Sequence, residues 1–107
     1  MEPDRSRIAA DFAAAVNLGA EELEAWLETP ESHRVGFKPE AGAESVGHAS
    51  GRRIVRILRS GPSTDEDWRH MRKVVGYVRR HRAQEPANLV SSRWRYSLMN
   101  WGHDPLR

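Results

Sequence analysis

STDEDWRHMRKVVGYVRRHRAQ, residues 63–84, decides the fold. It opens with Ser63 followed three residues later by Glu66, the spacing of a capping box. Pro62 stands just before that cap and Pro86 just past the end of the stretch, where prolines bound a helix. The pattern predicts one long helix from Thr64 to about Gln84. Trp68, Met71, Val74, Val75, Val78 and His81 recur at helical spacing and form its inner face. Arg69, Lys73 and Arg80 form a stripe on the other side, flanked by Arg72 and Arg79, with Gly76 baring the backbone in its middle.

The preceding segment, ESVGHASGRRIVRILRSG (residues 44–61), places Val46, Gly47, Ser50, Gly51, Ile54, Val55, Ile57 and Leu58 on one arc of a helical wheel. His48, Arg52, Arg56 and Arg59 lie on the opposite arc. Two readings compete. Either a helix starts near Glu44 and the small trio Gly47, Ser50 and Gly51 admits another helix closely, or Ser50 is an N-cap at a loop-to-helix junction. Two glycines inside a helix cost about 1 kcal/mol each, but the intact apolar face favours the longer helix.

Toward the N-terminus, Ile8, Phe12, Ala15 and Val16 share a face of a helix from about Ser6 to Asn17, with Gly19 placed to end it in a left-handed cap. A second helix starts near Ala20, with acids in its first turns and Leu23, Trp26 and Leu27 on its apolar face. Thr29-Pro30 stops it, and Thr29 can cap a short helical turn in which Pro30 takes the first position. Residues 35–43 hold Gly36, Pro39 and Gly42 without helical period and read as a loop. A last helix is expected from about Leu89 to Trp101, with Val90, Trp94, Ser97, Leu98 and Trp101 inward and Gly102 as its cap. His103-Asp104-Pro105-Leu106 reads as a defined terminal turn. No alternating run of β-formers lies between turns. The expectation is an all-α single domain, residues 1–107, of four main helices plus a short helical turn.

A chain of 107 residues is one domain. Size scaling gives it a folded surface of roughly 6,000 Å² against roughly 18,000 Å² unfolded, a modest core with little material for a deep cleft. No apolar run approaches the roughly 20 residues of a membrane span, and MEPDRSR is not of signal-peptide type. Cysteine is absent, which removes disulfides and thiolate metal sites and makes a reducing cytoplasm the default compartment.

The net charge of +2 conceals a division. Residues 1–45 hold four bases against ten acids, a balance of −6, and residues 46–107 hold thirteen bases against five acids, a balance of +8. Such asymmetry points to a polyanionic partner or to two faces of the protein that attract each other. Fifteen of the seventeen bases are arginine, the residue suited to bidentate phosphate contacts, although a GC-rich genome gives the same bias.

Chemistry beyond charge is sparse. No histidine of His33, His48, His70, His81 and His103 is paired with another at metal-ligand spacing, so no metal or other cofactor is expected. His81 reads as a hydrogen-bonded core or boundary histidine, and His103 as bound to a backbone group or an aromatic neighbour. There is no cysteine nucleophile, phosphate-cradling glycine loop or GxSxG elbow, and Asp65-Glu66-Asp67 reads as solvated capping and dipole chemistry. An enzyme is not expected. Trp26, Trp68, Trp94 and Trp101 fall on apolar faces, while Tyr77 and Tyr96 point away from them toward basic neighbours.

The arginines carry two readings. They lack the i,i+4 acids of an ordinary solvated helix, which suits nucleic-acid phosphates; or they neutralise the acidic first half inside the fold. The blocks TPES, ESVGHASGRRIVRIL, HMRKVVGYVRRHRAQ and RWRYSLMNWGHDPL, in this order, resemble a family of small bacterial proteins with relatives in fungi. It is a domain family of unknown function whose members are sometimes labelled DNA-binding. The resemblance spans the first helix to Leu106 and implies no activity, cofactor or catalytic residue. Its label agrees with the arginine stripes; the Ser60-Gly61-Pro62-Ser63 link is shorter than in relatives.

The expectation is therefore an accessory or nucleoid-type protein. The two basic helices meet near Gly61 and present Arg52, Arg56, Arg59, Arg69, Arg72, Lys73 and Arg80 on one surface to duplex DNA, with little sequence preference. The alternative is an interaction module, a homodimer or an adaptor for an acidic protein surface, docking through Gly47, Ser50, Gly51 or Gly76. No membrane partner is expected.

Overall fold

A computed structural model describes residues 4–87 and 92–107. Six helices follow in order: α1 (Arg5–Ala15), α2 (Ala20–Leu27), α3 (Pro30–Arg34), α4 (Val46–Ser60), α5 (Asp65–Arg82) and α6 (Arg93–Asn100). No strand occurs among the described residues, so the chain is all-α, with α3 the expected short turn. Leu89 and Val90, expected to open the last helix, lie outside the described residues.

Two helix pairs make the body. α1 packs on α5, α2 packs on α4, and α6 lies between them, touching α2, α3, α4 and α5. The core joins Ile8, Phe12, Leu23, Leu27, Ile54, Val74, Val78, Trp94, Leu98 and Trp101. At roughly 25 cal/mol per Å² of apolar surface, each such side chain contributes about 1.5–3 kcal/mol when fully buried.

Glycine admits α6 to this body. α4 is the longer helix, capped by Ser45, whose hydroxyl accepts from the His48 backbone N–H. A Cβ on Gly51 would stand 2.6 Å from the Asn100 carbonyl oxygen and 2.7 Å from Leu27 Cδ2, and one on Gly47 would stand 2.9 Å from Trp101 Nε1. The small trio is thus spent inside the fold. Beside it, the Asn100 side chain is fully buried. Its Oδ1 accepts from Trp26 Nε1 at 2.8 Å and from the Ser32 hydroxyl at 2.5 Å, and its Nδ2 donates to the Ser32 carbonyl at 3.0 Å. One amide ties α2, α3 and α6. Gly102, at φ +82°, closes α6: its N–H donates to Met99 and that of His103 to Leu98, both paired as in a Schellman motif. The Gly102 carbonyl then accepts from Asn17 and Leu18, holding the α1–α2 link against the terminal turn.

Several expectations change. α1 ends at Ala15 with Val16 extended, and Gly19 (φ −71°) is the N-cap of α2 rather than a left-handed stop. Glu22 accepts from the Gly19 N–H, so the acid three residues on, not the glycine, sets the boundary. The cap of α5 is Thr64, not Ser63; its hydroxyl accepts from the Asp67 N–H.

Tyr77 and Tyr96 face inward. The rings of His70, Trp101, Tyr77, His81 and Trp94 stack in that order, with centroids 6.0, 4.3, 5.0 and 6.5 Å apart and planes within 18°. Tyr96 lies 5.4 Å from Trp26. α5 is packed on two sides, by α1 and by α6, so residues outside its aliphatic stripe are covered as well. His81 sits inside this stack, and its Nε2 is buried with no hydrogen-bond partner among the described residues, contrary to expectation. His103 does bind a backbone group, its Nδ1 donating to the Ala15 carbonyl at 2.7 Å.

The two helical glycines with opposite surroundings make a test. Gly51→Ala gains about 1 kcal/mol of helix propensity but drives a methyl into a backbone oxygen, and overpacking costs about 1–3 kcal/mol or more. Thermal unfolding should show a Tm lower by roughly 5–15 °C. Gly76→Ala meets only the flexible end of Arg80, at 3.0 Å, and should leave Tm unchanged or slightly raised. A stabilised Gly51→Ala protein contradicts this packing.

Candidate nucleic-acid interface

Asp67 organises the basic helices. It is the third residue of α5, and its side chain is completely covered. One carboxylate oxygen accepts from the Ser63 backbone N–H at 2.9 Å and from the Ser63 hydroxyl at 3.2 Å. The other accepts from Arg53 Nε and Nη2 at 3.2 and 3.0 Å and from the Arg56 guanidinium. The Arg56 bond first, then the Ser63 amide, holds this carboxyl far below the usual carboxylate range. The solvated reading of the acidic triplet therefore fails at Asp67, the member that faces α4. A second link between the helices is the 2.8 Å hydrogen bond between the Ser50 hydroxyl and His70 Nε2.

These links leave an open trough between α4 and the first half of α5. One hollow of about 560 Å³ is lined by Ala49, Arg52, Arg53, Arg56, Ser63, Thr64, Glu66 and Asp67. An adjoining one of about 270 Å³ is lined by Arg53, Glu66, Arg69, His70 and Lys73. Arg53 and Glu66 belong to both, so the hollows form one channel walled by five cations. Burial first, then Arg53 and Lys73, pushes His70 down to about 4, so its ring is neutral at pH 7.

The seven expected contact residues do not share one surface. Arg52, Arg56, Arg69 and Lys73 line the trough. Arg59, farther along α4, pairs with Glu24 of α2 at 2.8 and 3.1 Å. Arg72 lines a separate hollow against α1, and Arg80 lies along α5 over Gly76. α5 turns different sides to α4 and to α1, and that separates residues its wheel groups together. Arg53 and His70 are trough residues that the sequence reading missed. Arg53 stands three residues before Arg56, on the same face of α4, and that spacing is the signal that finds it.

Pairing also divides the two helices. Arg52 donates to Glu44 from Nε at 2.8 Å and from Nη2 at 2.5 Å, and Glu44 is held down to about 2 by that bond and by His48. Arg52, Arg56 and Arg59 of α4 therefore all bind carboxylates, from 8, 11 and 35 residues away. Arg69, Arg72, Lys73 and Arg80 of α5 have no carboxylate partner among the described residues. Internal pairing of the two halves is real on α4, and at Arg107–Glu22 and Arg79–Asp11. It does not extend to the α5 stripe.

His48, expected on the wet arc, is buried: Nε2 donates to the Leu27 carbonyl at 2.8 Å, Nδ1 meets Glu44, and the ring stacks on His33 at 4.3 Å. Among the described residues no three His, Asp or Glu side chains gather as a metal site, and no helix is long and apolar enough to cross a membrane.

The pH dependence of stability follows from these environments. His70, depressed from 6.5 to about 4, favours the folded state fully above pH 6.5, and that contribution is lost as pH falls toward 4. Glu22 and Glu44, depressed from 4.5 to about 2, contribute above pH 4.5 and lose it toward pH 2. Tm should fall in two stages as pH drops from 7 to 2. In His70→Gln, which keeps a polar partner for Ser50, the pH 6.5 to 4 stage should be shallower and the lower one unchanged. An unaltered upper stage would contradict the burial of His70.

No curated protein and no solved structure matches the chain. A family model matches residues 11–99, which hold α2 to α5 entire, the second half of α1 from Asp11 and all of α6 but Asn100. The chain therefore belongs to the family described as Protein of unknown function (DUF3140).

Proposed function

We propose that the chain is a DNA-binding protein of accessory or nucleoid type that seats the phosphate backbone of duplex DNA along the α4–α5 trough. One observation carries this reading: Arg69 and Lys73 line a channel with Arg53, and neither has a carboxylate partner among the described residues. The same unpaired stripe continues to Arg80. The α4 arginines act here as a wall, set by Asp67 and Glu44, that adds positive potential with orientation already fixed. Arginine forks suit phosphate oxygens bidentately. Contacts of this kind give affinity and register without reading base edges, so little sequence preference is expected. Glu66, exposed in the middle of the trough, opposes the phosphates and moderates affinity. A cytoplasmic, nucleoid-associated location accompanies this reading.

A second reading, an adaptor for an acidic protein surface, has one observation in its favour. Arg52 and Arg59 already bind carboxylates of this chain, which is the chemistry such a partner would offer. Of the small-residue faces, Gly47 and Gly51 are covered by α6, which leaves Gly76, beside the flexible end of Arg80, as the remaining docking face for this reading. Sedimentation separates the two readings: a monomer that shifts only on addition of duplex favours DNA, and a self-associating chain indifferent to duplex favours the adaptor.

Duplex affinity measured between 50 and 200 mM salt should fall roughly a hundredfold if about four phosphates are neutralised. Arg69→Glu with Arg80→Glu should abolish binding with Tm nearly unchanged, since neither side chain holds a carboxylate. Arg56→Glu should instead lower Tm, because it opposes the buried Asp67. Absent binding at 50 mM salt, or a flat salt profile, ends the DNA reading.

A further inference from the structure

A further hollow opens on the side of α5 that faces α1. Its volume is about 460 Å³, within the roughly 300–1,000 Å³ of small-molecule sites. Ile8 and Val75 form an apolar floor beside the bare backbone of Gly76, and the rim carries Arg7, Arg72, Arg79, Asp4 and Asp11. The rim charges are unequally engaged. Asp4 caps α1, accepting from the Ser6 N–H at 2.9 Å. Asp11 faces Arg79 at 3.6 Å. Arg7 and Arg72 are left without a carboxylate partner among the described residues, although two carboxylates line the same hollow.

We propose that this hollow is a binding site for a small carboxylic acid with a hydrocarbon body. Its carboxylate lies between the Arg7 and Arg72 guanidiniums, and its hydrocarbon covers Ile8 and Val75. The floor selects against a bare inorganic anion, which would leave the apolar surface uncovered. The rim sets three guanidiniums against two carboxylates, a net of one positive charge, which a single negative charge on the ligand neutralises. A monoanion with an apolar tail meets both conditions. The groove contains neither Arg69 nor Lys73, so this site stands apart from the trough and does not rest on the DNA reading.

The probe is hexanoate, compared with hexanol and acetate by calorimetry and thermal shift on the full chain. Hexanoate should bind saturably with a dissociation constant at or below about 1 mM and raise Tm with concentration as mass action requires. Hexanol lacks the charge and acetate lacks the body, and each should bind at least about tenfold more weakly. Arg72→Gln, an exposed change without loss of an ion pair, should weaken hexanoate at least about tenfold and leave Tm of the free protein unchanged. Arg69→Glu should leave hexanoate binding unchanged. No saturable binding, equal binding of hexanol, indifference to Arg72→Gln, or competition by duplex DNA would each overturn the proposal. Failure of hexanoate alone leaves the salt-dependent duplex binding of the trough intact, so the two readings fail separately.

Discussion

The Asp67 carboxylate is removed from water and held by two guanidiniums, a backbone amide and a hydroxyl. A buried carboxylate with its partners deleted is strongly destabilising, so Arg53, Arg56 and Ser63 are committed to it. This one group fixes the start of α5 against the middle of α4. These helices are consecutive in sequence, yet α4 packs on α2 and α5 packs on α1. With the Ser50–His70 bond, the clasp holds them near each other without closing the space between them. The trough is what remains open.

The same clasp decides which arginines are free. α4 meets the acidic part of the chain through Glu24 and Glu44 and the acidic start of α5 through Asp67. Its cations are consumed or half-consumed in setting geometry. Each exposed pair contributes little, about 0–1 kcal/mol, but each directs a guanidinium. On α5, Arg69, Lys73 and Arg80 hold no carboxylate among the described residues, although Glu66 lies in the same hollow as the first two. A net charge of +2 therefore resolves into one helix whose charge is structural and one whose charge is available.

Much of this was legible in the residues. The Thr29-Pro30 pair marks α3, and the Gly47, Ser50, Gly51 face foretold a close helix crossing, because local chemistry and periodicity act over a few residues. The Asp67 clasp was hidden because capping and dipole chemistry already account for an acid in a first turn. Tyr77 was misplaced because a single apolar stripe describes a helix packed on one side, and α5 is packed on two. The Arg59–Glu24 pair spans 35 residues, and no helical-wheel argument reaches that far. Arg53 was missed although its spacing from Arg56 pointed to a shared face; what raised its importance was the buried acid it shares with Arg56.

The most direct test of the account is a titration of the isotopically labelled chain with a short DNA duplex, followed by amide and arginine side-chain resonances at low salt. Progressive shifts are predicted at Arg53, Arg69, His70 and Lys73 and along α5 to Arg80, with the Arg59 signal and residues 20–45 unmoved. Shifts confined to the loop of residues 35–43, or none at duplex concentrations that shift the sedimentation of the chain, would contradict it.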